Sequence, residues 1–92
     1  MKPQYIKFDA SFEKRFKKYT GQLTEGERQR LKNRLEIFKE DVFDKRLKTH
    51  KLKGELNEYY AFSISFSDRI VFKILDDEGV CFMEIGSHDV CY

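Results

Sequence analysis

Two histidines and one strand arginine are the residues of this sequence best suited to proton transfer beside a phosphate. His50 and His88 are its only histidines, and both lie in the stretch from residue 50 to residue 92. Free imidazole titrates at about 6.5, so either can give or take a proton near neutrality. Arg69 opens the run Arg69-Ile70-Val71-Phe72-Lys73, and a guanidinium offers phosphate a planar fork of donors. Each residue also has a plainer use. His50 in a basic connector suits a surface, His88 after Ser87 suits a turn, and Arg69 suits an ion pair with Asp68 or Glu84. Cys81 and Cys91 lack CxxC spacing and the histidines lack HxxxH spacing, so no metal site is expected. No other cofactor is expected, and both cysteines read as small hydrophobes.

The alternation around these residues says what must hold them. Tyr60, Phe62, Ile64 and Phe66 share one side of an extended run, and Ala61, Ser63, Ser65 and Ser67 the other. A period of two with one apolar face predicts a half-buried strand. After Ser67-Asp68, a second run alternates Ile70, Phe72 and Ile74 with Arg69, Val71 and Lys73. Asp76-Asp77-Glu78-Gly79 is hairpin chemistry, and a third run extends from Val80 to Ile85 and ends at Gly86. Short turns make this an antiparallel meander. Parity then gathers Ser63, Ser65, Arg69, Lys73 and Glu84, with Gly86 and His88, on an open polar face, unless a bulge intervenes.

Earlier in the chain, residues 3–8 fit a short strand that begins beside Pro3. Asp9 or Ser11 can cap a helix reaching about Tyr19, with Phe12, Phe16 and Tyr19 as its apolar stripe and Gly21 as its end. Thr24-Glu25-Gly26-Glu27 has capping-box spacing and opens a longer helix with Leu31, Leu35, Phe38 and Val42 on one face. Residues 44–53 form a basic connector that carries Lys48, His50, Lys51 and Lys53, and Gly54 breaks the chain after it. The order is β-αα-βββ. The expected fold is α+β: a two-helix hairpin on one face of a small, mostly antiparallel four-stranded sheet, in a single domain over residues 1–92.

Ninety-two residues support one modest core. There is no apolar run of membrane-spanning length and no signal-peptide pattern, and two cysteines do not make a disulfide framework. A cytoplasmic protein without a membrane partner is the expectation. Charge is segregated: residues 1–54 carry a net +8 and residues 55–92 a net −6. A basic half suits a polyanion or an acidic protein segment, and equally the wet faces of helices.

The β-αα-βββ order, the segment His50-Lys-Leu-Lys-Gly54, the run from Tyr59 to Ser65, Arg69-Ile-Val-Phe72 and the ending Ile85-Gly-Ser-His-Asp-Val-Cys-Tyr92 resemble the RelE/ParE toxin superfamily. Within it the sequence is most similar to YafQ-like and RelE/StbE-type mRNA interferases of type II toxin–antitoxin systems. That resemblance implies a metal-independent endoribonuclease that cleaves mRNA in the ribosomal A site, contacts rRNA there and is neutralised by a cognate antitoxin protein. It implies catalytic roles for His50, Arg69, His88 and Tyr92. RNA contacts would come from Lys48, Lys51, Lys53, Ser63, Ser65 and Lys73, with Asp68 and Asp89 as auxiliaries. Transesterification needs a base for the 2′-OH, an acid for the leaving 5′-oxygen and a cation for the phosphoryl charge, which two histidines and an arginine can supply. The sequence departs from the pattern at Ser63 and Ser65, where RelE-like members carry lysines. Two other functions fit the same fold: a ParE-like toxin acting by binding a protein such as DNA gyrase, and an inactive RNA-binding relic.

Overall fold

Thr24 and Glu27 form both halves of the capping box: Thr24 Oγ1 accepts the Glu27 N–H at 3.2 Å, and the Glu27 carboxylate accepts the Thr24 N–H at 2.8 Å. The computed structural model describes residues 1–56 and 58–87. Asp9 caps the first helix by accepting the Ser11 N–H at 3.1 Å. The helices run Ala10–Gly21 (α1) and Glu25–Glu40 (α2), and they follow a short strand Ile6–Phe8 (β1). α1 ends at Gly21, and its C-cap, Gln22, keeps right-handed backbone.

Four further strands follow: His50–Lys51 (β2), Tyr59–Ser63 (β3), Asp68–Ile74 (β4) and Val80–Ser87 (β5). The sheet has five strands in the order β1-β5-β4-β3-β2, which corrects the four-stranded expectation. It is mixed, because β1 runs parallel to β5 while β2, β3, β4 and β5 pair antiparallel in turn. The added strand is β2, two residues from the middle of the basic connector. A turn of 3-10 helix at Lys45–Leu47, capped by Asp44, and left-handed backbone at Lys48 (φ 53°) swing the chain into that edge position.

The helices cover one face. Phe12, Phe38, Phe62, Phe72 and Phe82 are fully buried between helices and sheet. Phe38 stacks on Phe62 with ring centroids 4.4 Å apart, and the edges of Phe72 and Phe82 meet it at 5.1 and 5.3 Å. Edge-to-face and offset contacts of this kind favour one rigid arrangement. In β5 the alternation slips: Val71 pairs with Glu84 but Phe72 pairs with Phe82, leaving Met83 as an extra residue. Phe82 and Ile85 can therefore both face the core, although an odd number separates them.

In the β4–β5 turn, left-handed backbone falls on Glu78 (φ 66°). At Gly79 a Cβ would lie 2.2 Å from the Tyr5 ring. Tyr5 lies across the turn and donates to both Asp77 oxygens, at 2.7 and 2.9 Å. This contact ties the lead-in to β1 to the β4–β5 hairpin.

Candidate functional site

The face of the sheet away from the helices collects the groups with chemistry. Register places them in rows. His50 pairs with Ala61, Ala61 with Val71 and Val71 with Glu84; one step along, Ser63 pairs with Arg69 and Arg69 with Gly86. His50 and Arg69 thus share a face, two strands and one row apart, about 12 Å between their backbones. Between them lie Ala61 and Val71, both buried, with Leu52 beside them. These apolar side chains form a buried floor between the two, and Gly86 next to Arg69 adds no side chain of its own. The face expected to be open and polar has a buried apolar centre of Ala61, Val71 and Leu52.

His50 is oriented by the turn before it. Its Nδ1 lies 3.0 Å from the carbonyl oxygen of Lys48. A carbonyl only accepts, so Nδ1 carries the proton, and Nε2 is the nitrogen that can exchange one with a substrate. Arg69 is half-buried on β4. Nearby, Glu84 pairs with Arg15 of α1, and the Asp68 carboxylate accepts the Tyr19 hydroxyl at 2.6 Å.

Several sequence candidates fall elsewhere. β3 ends at Ser63, so Ser65 and Phe66 leave the strand, contrary to the expected alternation through residue 66. Ser65 lies in the β3–β4 loop, where its Oγ accepts the Asp68 N–H at 3.1 Å. Ser63 stays on the face beside Arg69. Lys51 pairs with Tyr60 and has the opposite parity to His50, and Lys48 and Lys53 are exposed on either side of β2. Lys73 shares the face but is engaged, 3.9 Å from Glu58 and 5.3 Å from the Tyr59 ring centre. His88, Asp89 and Tyr92 lie outside the described residues, as does Cys91. Cys81 is a buried free thiol. Among the described residues no cluster of three or more His, Cys, Asp or Glu could hold a metal, and no helix is long and apolar enough to cross a membrane.

The Tyr19–Asp68 bond was not legible in the sequence, where Tyr19 counted only as the end of an apolar stripe. Burial, then the Asp68 carboxylate, pushes the Tyr19 hydroxyl well above its ordinary value, so it stays a donor. The bond ties the β3–β4 loop to α1. A second unforeseen feature is a groove of about 600 Å³ on the helix side. Ile6, Phe8, Phe16 and Leu35 line it, with Arg28, Lys32, Lys39 and Glu36 as its charged residues. It is apolar, which suits a docking helix better than a phosphate.

The helical hairpin on a mixed five-stranded sheet is the fold of solved RelE/YafQ-type toxins. YafQ from E. coli strain BL21(DE3) superposes with a TM-score of 0.71 at 17% identity, covering 95% of this chain and 96% of that one. YafQ in the E. coli DinJ–YafQ toxin–antitoxin complex gives 0.72 at 18%, covering 100% and 99%. The YoeB–YefM complex from Staphylococcus aureus gives 0.69 at 23%, covering 90% and 94%. No protein-family model matches the sequence, and no curated protein matches it.

Proposed function

We propose that this protein is the toxin of a type II toxin–antitoxin pair, an endoribonuclease that cleaves mRNA held in the ribosomal A site. The observation that carries the reading is the shared face of His50 and Arg69. A phosphodiester lying over the Ala61–Val71 floor would have an imidazole Nε2 on one side and a guanidinium on the other. Arg69 would hold the phosphoryl oxygens as charge grows on them. His50 would handle one proton, either taking it from the 2′-OH or giving it to the leaving 5′-oxygen. His88 would handle the other, with Tyr92 and Asp89 beside it, as the sequence resemblance implies. Ser63 and Lys73 line the approach, and Lys48 and Lys53 supply positive charge at the edge.

With so few groups on an open face, the ribosome would supply the alignment of the RNA. Fixing a reactive geometry of this kind is worth several kcal/mol. Proton transfer and a fixed guanidinium suffice for the step, so no metal is required of the protein. The antitoxin would place an amphipathic segment in the groove between the helices, its acidic positions facing Arg28 and Lys32. A cytoplasmic location follows from the substrate.

The test is cleavage of ribosome-bound mRNA by purified protein, with the product ends mapped. The expected products carry a 2′,3′-cyclic phosphate, at least transiently. Naked RNA should be cut poorly, and chelation of metal should matter only through the ribosome's own magnesium. Direct formation of a 3′-hydroxyl end, or equal rates on naked and ribosome-bound RNA, would refute the mechanism.

A further inference from the structure

Phe66 is the most exposed large hydrophobic side chain of the described residues, at 106% of its reference accessibility. The loop beneath it is not slack. The Ile64 and Ser65 N–H groups both donate to the Asp68 carbonyl, at 3.0 and 3.4 Å. Ser65 Oγ accepts the Asp68 N–H at 3.1 Å, and Ser67 Oγ donates to the Asp68 carboxylate at 3.3 Å. The same carboxylate is tied to α1 through Tyr19. A loop this well bonded could have turned its tip inward, as Ile64 does at 2% exposure. Instead it holds an uncovered phenyl ring outward. The loop springs directly from the Ser63–Arg69 pair, so its tip lies three residues from the arginine.

We infer that Phe66 is a base-stacking platform: it takes the face of an unpaired nucleobase whose strand runs past Arg69. This rests on the reading of the open face as an RNA-cleavage site. Single-stranded RNA is recognised by stacking its splayed bases on aromatic side chains, with cations alongside for the backbone. A held ring costs little further ordering when a base lands on it. An adjoining guanidinium suits the charged backbone of a nucleotide strand better than it suits an apolar peptide. Stacking accepts every base, so the ring would position the strand without choosing its sequence.

The experiment uses Phe66→Ala, Phe66→Tyr and Phe66→Trp. Ring removal should raise KM for ribosome-bound mRNA about 5- to 150-fold, the usual cost of one lost stacking contact. The single-turnover rate at saturation should stay within about threefold, since Phe66 touches no reacting atom. Phe66→Tyr should restore KM, and all three variants should melt with the parent. The chain has no tryptophan, so Phe66→Trp carries a lone indole whose emission reports stacking without any cleavage. Short single-stranded oligoadenylate should quench it, and duplex RNA, whose bases are already stacked, should not. Parental KM in Phe66→Ala overturns the inference, and so does an indole that oligoadenylate leaves unquenched; a protein partner would then be the ring's occupant. If the indole is quenched but the parent protein cuts no ribosome-bound mRNA, the stacking role stands and the nuclease reading fails.

Discussion

Phe62→Ala separates the framework from the chemistry. Phe62 is fully buried, with Phe38 stacked on it at 4.4 Å and Phe72 and Phe82 at 5.8 Å. Its three ring neighbours are themselves fully buried and cross-braced, so they cannot collapse into the space left by truncation. A phenylalanine ring buries about 150 to 250 Å², and truncating a core phenylalanine to alanine typically costs about 3 to 5 kcal/mol, more where the cavity persists. The upper half of that range applies here. Unfolding entropy per residue gives a domain of this length about 5 °C of melting shift per kcal/mol. Phe62→Ala should therefore melt about 20 to 25 °C below the parent, read by circular dichroism. His50→Ala, on an exposed edge strand, should melt with the parent. A fall of under about 5 °C for Phe62→Ala would mean the aromatic stack does not carry the core.

Arg69→Ala should lower single-turnover cleavage on ribosomes about 100- to 1000-fold while melting near the parent, since one transition-state donor is removed. His50→Ala and His88→Ala should each lose about 100- to 10000-fold, as lost proton-transfer groups do; parental rates in a well-folded His88→Ala would end the catalytic assignment of that residue. Gly79→Ala must displace the Tyr5 ring, because the new methyl would sit 2.2 Å from it; about 1 to 3 kcal/mol of lost stability should follow, and most of it should vanish in the background of Tyr5→Ala. Asp44 caps the turn that leads to His50, and its hydrogen bonds from Arg46 hold the carboxyl down to about 2. Its contribution should be complete above the unfolded carboxylate value of about 4 and fade as pH falls toward 2; melts of Asp44→Asn should show a flatter acid limb than the parent, and parallel curves would refute the cap.

Local signals in the sequence carried well into the structure. Thr24 and Glu27 met as a capping box, Asp9 capped α1, and the alternation through Ile70, Phe72 and Ile74 gave the core face of β4 because covalent geometry enforces a period of two. What depended on distant partners was hidden. β2 is only two residues long and has no period to read; its strand character comes from pairing with Ala61 and Tyr60. Phe66 continues the apolar parity of Tyr60, Phe62 and Ile64, so it read as strand, yet the Asp68 hydrogen bonds close the loop first. The candidate site was half legible. Arg69 was expected on the open face and lies there; His50 was read as part of a connector and joins that face only through the pairing of β2, while Ser65 left it with the early end of β3. The groove between the helices joins residues from both ends of the chain, and no single segment announces it.

The extra residue at Met83 gives β5 something like a reading frame. Upstream of it even-numbered positions such as Val80 and Phe82 face the helices; downstream the odd-numbered Ile85 does. Deleting any one residue from the first half of the strand and restoring it elsewhere would leave composition unchanged, yet exchange the two faces for whatever lies between. Variation in this strand should therefore accumulate as substitutions or as paired insertions and deletions. A lone indel would be the costly event, since it would send Ile85 into solvent and Glu84 into the phenylalanine stack.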